Sequence, residues 1–214
     1  MDVVRDTKSY TCVKNSGYRR KPVYEFIKRI MDICCSLLAL ILLSPLMIIT
    51  MVANYIDDPE SVLFKQVRVG RDDRRFIILK FRSMKKNAEE LKAELMSKNQ
   101  DNGVNFKLEK DPRIGRFIRK TSIDELPQLL NILKGDIAVI GPRPFIEEEQ
   151  KNLPSDLLLV KPGLSCCWQI GGKNNLSLSE QIELDRKYIR EQSVWVDIKI
   201  ILKTMLLVVS RKNG

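Results

Sequence analysis

The longest feature of the hydrophobic pattern is a run without charge. From Ile33 to Ile56 the chain reads ICCSLLALILLSPLMIITMVANYI, with no Asp, Glu, Lys or Arg. As one α-helix this run would be about 36 Å long, enough for a hydrocarbon core of about 30 Å. Ser44-Pro45 falls in its middle, and proline removes a backbone N–H and bends a helix. The flanks are basic on both sides: Arg19, Arg20, Lys21, Lys28 and Arg29 before, Lys65, Arg68 and Arg71 after. The positive-inside tendency puts both flanks in the cytoplasm. A helix-break-helix that dips into one leaflet satisfies that. Proline also occurs in spanning helices, so the residues alone leave re-entry and a plain span open. The run starts too far into the chain for a signal peptide, and no small-x-small cleavage site follows it.

Elsewhere the pattern predicts an α+β domain, predominantly α-helical. Residues 1–27 read as a polar, basic cytoplasmic arm, 28–57 as the membrane segment broken at Ser44 and Pro45, and 58–214 as a cytoplasmic domain. Two β-rich runs flank Gly70-Arg71-Asp72-Asp73, a hairpin signal. Met84, Ala88, Leu91 and Leu95 share one face of an amphipathic helix over 84–98. Residues 99–112 read as a loop and 114–120 as a short basic helix. Gly135 marks a helix end. DIAVIGPRP reads as a buried strand running into a rigid loop. Helices follow over 179–192, with Ser179 as N-cap, and over 194–210. In the last, Trp195, Ile198, Leu202, Met205 and Val209 form one stripe, suited to packing or to lying on lipid.

Composition narrows the chemistry. A formal net charge of +10 and a pI near 9.4 imply an anionic partner. The chain has no histidine, which removes the commonest general base and metal ligand. Proton or nucleophile chemistry then falls to Asp, Glu, Lys, Cys, Ser or Tyr; a hard cation such as Mg2+ needs only oxygen ligands. The five cysteines, Cys12, Cys34-Cys35 and Cys166-Cys167, lack the CxxC spacing of a zinc site. They read as reduced, small packing groups. No glycine-rich nucleotide loop is present, and no basic-aromatic alternation points to nucleic acid.

TSIDELPQLLN, residues 121–131, places two carboxylates before a proline. One reading is a capping box, Ser122-x-x-Glu125. Pro127 would then sit inside the hydrogen-bond ladder. With Asp124 as N-cap, Pro127 falls in the first turn, where it is tolerated. The helix is therefore expected to start at Asp124-Glu125, where a carboxylate stays ionised and a phosphate also meets free N–H groups. A plain helix start remains the simpler reading of the pair taken alone. GPRP holds Arg143 between two prolines, a preset backbone suited to presenting a guanidinium to phosphate. Lys80 and Arg82 end a predicted strand, Arg113 follows Asp111-Pro112, and Arg119 leads into the acids. Cations so placed around a carboxylate pair are what a diphosphate site needs.

Taken in order, KRIMDI, LSPL, LFKQVRVG, LKFRSM, DPRIGRFIRKTSIDELPQLLNILKGD, IGPRP, VKPGLSCCWQIGGKN and ELDRKYI…SVWVDIKIILKT resemble the bacterial sugar transferase family, the monotopic phosphoglycosyl transferases. The likeness runs from about Lys28 to the C-terminus. It implies a membrane dip, a catalytic domain on the cytoplasmic face of the bacterial membrane, and Mg2+. It implies transfer of a sugar 1-phosphate from a UDP-sugar to undecaprenyl phosphate, releasing UMP, at the start of capsule, exopolysaccharide or glycoprotein glycan assembly. Asp124 would be the nucleophile. Glu125 would hold Mg2+ or assist the acceptor phosphate. Lys80, Arg82, Arg113 and Arg119 would hold phosphate oxygens, Arg143 the nucleotide diphosphate, and Asp185 a metal or sugar. Membrane lipid, a homodimer and downstream glycosyltransferases are the partners such a role implies. Two departures stand in GLSCCWQIGGKN: Cys166 where relatives usually carry Gly, and Lys173 where they usually carry Arg, either of which bears on sugar choice. The chain resembles the minimal, single-domain form of the family. The alternative is an inactive relative serving as a membrane adaptor of a polysaccharide complex.

Overall fold

A computed structural model describes residues 18–57, 62–82, 122–170 and 176–209. Helix α1, Pro22–Asp57, carries the uncharged run. Only 11% of its most apolar window is buried in protein, so this is not the core helix of a water-soluble domain. Two separate helices were expected around Ser44-Pro45. Instead α1 runs as one continuous helix through both residues. Pro45 cannot donate to the Ile41 carbonyl four residues back. The Ser44 hydroxyl donates to that carbonyl at 2.9 Å. The side chain thus supplies the donor that proline removed, and the ladder survives. The helix also begins at Pro22, inside the stretch expected to be a loose arm.

The predicted hairpin is present. Strands β1, Leu63–Val69, and β2, Arg75–Phe81, pair antiparallel with Leu63 opposite Phe81 and Val69 opposite Arg75. Both ends of α1 reach this hairpin. Near its start, Glu25 meets Arg71 at the hairpin tip at 2.9 Å. Near its end, the Asn54 side-chain amide donates to the Arg82 carbonyl, where the strands open, at 3.1 Å. In between, Ala39 and Leu40 pack on a core of Phe76, Ile78, Leu129, Ile132 and Ile137. Glu25 and Asn54 are about 44 Å apart along an ideal helix axis. The apolar helix therefore meets the domain near both ends and at Ala39-Leu40, and leaves the stretch around Ser44-Pro45 exposed.

Helix α2, Gln128–Lys134, ends as predicted at Gly135, whose φ of 93° suits a residue without Cβ. Strand β3, Ala138–Ile140, follows and pairs in parallel with β4, Gly163–Ser165, a strand that the hydrophobic pattern does not reveal. The two backbones meet so closely that a Cβ on Gly141 would strike the Lys161 carbonyl, and one on Gly163 the Gly141 nitrogen. Short helices α3, Glu147–Gln150, and α4, Cys167–Ile170, flank this pair.

Helix α5 runs Leu178–Glu191 and α6 Val194–Val209. The N-cap of α5 is Ser177, not Ser179. Its hydroxyl accepts from the Glu180 N–H, and Glu180 accepts from the Ser177 N–H at 2.7 Å. Ser179 falls one residue inside the helix and lacks that reciprocal partner. A second core joins Ile140, Phe145, Leu157, Tyr188, Ile189 and Ile200. On α6, Trp195, Leu202, Met205 and Leu206 stay more than half exposed, so most of the apolar stripe faces outward.

Candidate active site

The acids stand one step earlier than expected. Ile123–Glu125 form a 3-10 turn, and α2 starts only at Gln128, with Pro127 as its N-cap. Ser122 adopts φ 55° and makes no side-chain cap bond, so neither the capping box nor an Asp124 N-cap is realised. Pro127 explains the delay. Lacking an N–H, it cannot close a bond onto the acid turn, and the ladder resumes with three-residue steps from Leu129 to Leu126 and Leu130 to Pro127.

Asp124 is 8% exposed, whereas Glu125 reaches a more open surface. Lys80, near the end of β2, donates to Glu125 Oε1 at 3.2 Å. The two predicted residues thus meet, forty-five positions apart in the chain. Asn131 makes this possible, and the sequence reading did not single it out. It is buried on α2. Its side chain accepts from the Leu79 N–H at 3.0 Å and donates to the Ile77 carbonyl at 2.7 Å. It also donates to Asp136 at 3.1 Å. One amide thereby satisfies the outer edge of β2 immediately before Lys80 and fixes the helix behind the acids.

A second cluster forms around GPRP. The Arg143 backbone N–H bonds the Asp185 carboxylate, and its guanidinium lies 5.8 Å from the Phe145 ring centre. Burial raises the Asp185 pKa to about 7, against the lowering pull of Arg143. Asp185 Oδ1 has no partner among the described residues. Arg68 is a further residue that sequence reading missed as part of the site. It donates to the Pro144 carbonyl at 3.1 Å and to Gln66 at 2.6 Å. Burial, with Arg143 close by, lowers its pKa to about 10. A visible signal existed: Gln66 and Arg68 pair with Ile78 and Phe76, core positions of β2. Polar residues in register with a core invite a specific task.

Arg82 closes the hairpin through its backbone, against Val62 and Asn54. Arg113, Arg119 and Lys173 lie outside the described residues, as do the helices predicted over 84–98 and 114–120. Cys166 is buried and Cys167 is pushed up to about 11 by burial, so both thiols pack rather than react. Among the described residues no three His, Cys, Asp or Glu side chains gather as a metal cage. The Asp124-Glu125 pair with an open Glu125 does fit Mg2+. That ion keeps several waters and is commonly held by one or two carboxylates plus substrate phosphates.

The geometry so far is a carboxylate pair on a short turn, a lysine bonded to it, and the Arg143 loop nearby in sequence, in a fold with one long, exposed apolar helix. A profile of the family described as Bacterial sugar transferase matches residues 23–211. A galactosyl transferase CpsE of Streptococcus agalactiae is 42% identical over 96% of this chain and 47% of its own length. An undecaprenyl-phosphate galactose phosphotransferase of Salmonella typhimurium is 40% identical over 88% of this chain and 42% of its own. The Escherichia coli UDP-glucose:undecaprenyl-phosphate glucose-1-phosphate transferase is 36% identical over 86% and 40%. The chain spans less than half the length of each of these relatives, yet the matched family region takes in nearly all of it: the chain belongs to the bacterial sugar transferase family.

Proposed function

We propose that this chain transfers a sugar 1-phosphate from a UDP-sugar to undecaprenyl phosphate and releases UMP, at the cytoplasmic face of a bacterial membrane. The observation that carries the reading is Asp124, nearly buried on its 3-10 turn, beside the Lys80–Glu125 ion pair. The names of the relatives supply the substrate class.

The chemistry follows from the groups present. An Asp124 oxygen attacks the sugar-bearing phosphorus; the bond from that phosphorus to the bridging oxygen breaks, and UMP leaves with both electrons. A phosphosugar-aspartyl ester remains. An oxygen of undecaprenyl phosphate then attacks the same phosphorus, and the carboxylate departs as Asp124. Neither nucleophile needs deprotonating, so a chain without histidine can run both steps. Lys80 holds Glu125 in place and offers its charge to phosphate oxygens. Glu125 would hold Mg2+, which when bound offsets the negative charge of the diphosphate. Arg143, set by its prolines and by Asp185, faces the nucleotide side, with Arg113, Arg119, Lys173 and Arg82 as further phosphate contacts. A role in capsule or exopolysaccharide assembly follows from that chemistry.

The same reading makes the protein monotopic. Its support is that Glu25 and Asn54, at the two ends of α1, both touch one charged hairpin. A helix crossing the bilayer would separate them by the hydrocarbon core. Ser44-Pro45 would mark the deepest point of the dip. Cysteines placed before Pro22 and after Asp57 then label only from the cytoplasmic side; labelling of one from outside refutes re-entry.

UMP release from a panel of UDP-sugars, with and without undecaprenyl phosphate, tests the activity. Asp124→Asn is expected to abolish turnover and covalent capture of the phosphosugar. Full activity in that variant removes the aspartyl intermediate.

A further inference from the structure

A cavity of about 80 Å³ opens at the start of α1, away from the acids. Lys28, Arg29, Arg71 and Lys161 line it, against the carboxylates of Glu25 and Asp32. Most of this charge is already committed. Lys28 bonds the buried Asp197 at 2.9 Å. Arg71 bonds Glu25. Arg29 donates both terminal nitrogens to the Ile132 and Leu133 carbonyls, at 2.6 and 2.7 Å, and so serves the C-terminal end of α2. Asp32 accepts from the Val139 N–H.

Lys161 is the exception. Among the described residues its ammonium has no hydrogen bond or ion pair. It sits half-buried between Arg29 and Arg71, and burial together with Arg29 lowers its pKa. A Cβ placed on Gly135 would lie within 3.6 Å of both Lys161 Nζ and Arg29 Nη2, so the two cations converge over one point. The Asp32 and Glu25 carboxylates offset only part of this, so a desolvated lysine beside two guanidiniums is stabilised by an anion that enters the cavity.

The surroundings say which anion. Val23 and Phe26, on the first turns of α1, are exposed at 72% and 69%, and Trp195 at the start of α6 at 74%. Gln192, just before α6, lines the cavity. Exposed apolar side chains therefore share the first turns of α1 and the start of α6 with residues that line a basic cavity. That is the arrangement of the headgroup layer, with aromatic and aliphatic groups in lipid and cations at phosphate depth. The cavity lies at the Gly135 end of α2, whereas Asp124 and Glu125 precede its other end, so the whole helix, about 10 Å long, stands between them. This site is distinct from the acid pair.

We propose that the cavity binds the phosphate of an anionic phospholipid headgroup, with Lys161 as its main contact and Arg29 and Arg71 beside it. The proposal rests on the membrane reading above. UMP release by the same preparation scores the catalytic reading separately.

The test is thermal unfolding of the purified full chain in neutral detergent. Dihexanoylphosphatidylglycerol, dihexanoylphosphatidylcholine and inorganic phosphate are titrated in parallel. At ten times its Kd, a ligand confined to the folded state raises Tm by about 3–5 °C. The phosphatidylglycerol is expected to do so for the wild type and for Lys161→Arg, but not for Lys161→Met or Lys161→Gln. Lack of any response in the wild type, or an equal response in the Met and Gln variants, overturns the site. An equal response to inorganic phosphate or to phosphatidylcholine overturns the assignment to an anionic lipid.

Discussion

Asn131→Ala is the sharpest probe of how the site is assembled. The substitution removes three hydrogen bonds and leaves the Leu79 N–H and the Ile77 carbonyl without their partner on the outer edge of β2. A buried backbone group left unpaired costs about 1–3 kcal/mol. Water entering the space left by the amide offsets part of that for two adjacent groups, so a net loss of about 3 kcal/mol is expected. For a chain of this size the loss corresponds to a Tm lower by about 6–12 °C. Asn131→Asp is expected to be no better. A carboxylate still accepts from Leu79 but cannot donate to Ile77, and it faces the Asp136 carboxylate. Activity should fall further than stability. Lys80 follows directly after the freed strand edge, and Glu125 loses the lysine that positions it. The assay is unfolding followed by intrinsic fluorescence, paired with UMP release at a temperature where every variant is fully folded. A Tm within 2 °C of wild type, or undiminished turnover in the folded variant, refutes the view that this amide couples strand to acids.

Other outcomes follow from buried charge. Asp197 is wholly buried and accepts from Tyr24, Tyr188 and Lys28 at 2.8, 2.8 and 2.9 Å, pinning α1 to α6. Asp197→Ala strands the Lys28 ammonium and should cost about 3–5 kcal/mol, read as a fall of about 10 °C in Tm; a change below 1 kcal/mol counts against the anchor. Asp185 has its folded pKa raised to about 7, above the unfolded value of about 3.9. Its contribution is complete below about pH 4 and is lost as pH rises to about 7, by at most about 4 kcal/mol. Urea midpoints should fall over that window in the wild type and stay flatter in Asp185→Asn; an equal slope in both rejects the assignment. Ser44→Ala removes the donor to the Ile41 carbonyl and should destabilise the helix by about 1 kcal/mol. Adding Pro45→Ala restores the backbone donor, so the double variant should recover; additive loss in the pair rules the compensation out.

Local signals were legible where one residue decides the backbone. Gly135 announces the end of α2 because only a residue without Cβ sits easily at its φ. The hairpin is visible because its strands alternate and its turn is polar. Interactions that join distant segments were not. The β3–β4 pair is three residues on each side, and its partners lie about twenty-five positions apart. Nothing within VKPGLS marks it as a strand except Gly163, whose closeness to another backbone appears only once folded. Asn131 reads as an ordinary helix residue for the same reason: its partners are on β2. Asp124 and Glu125 were expected at the start of the helix and stand on a separate turn before it. Proline constrains where a helix continues, but whether the preceding turn is α or 3-10 depends on how Ser122 enters it.

The contacts at the two ends of α1 have a consequence for how the chain reaches its final place. Arg71, Arg75, Lys80 and Arg82 all belong to the hairpin that Glu25 and Asn54 touch. Carrying such residues through the bilayer centre costs about 2.5–3.5 kcal/mol each. A helix that sinks sideways from the surface, with its hairpin left in water, passes none of them through hydrocarbon. On the re-entrant reading proposed above, insertion needs no channel: a chain folded in water would add itself to preformed liposomes and widen only the leaflet it enters.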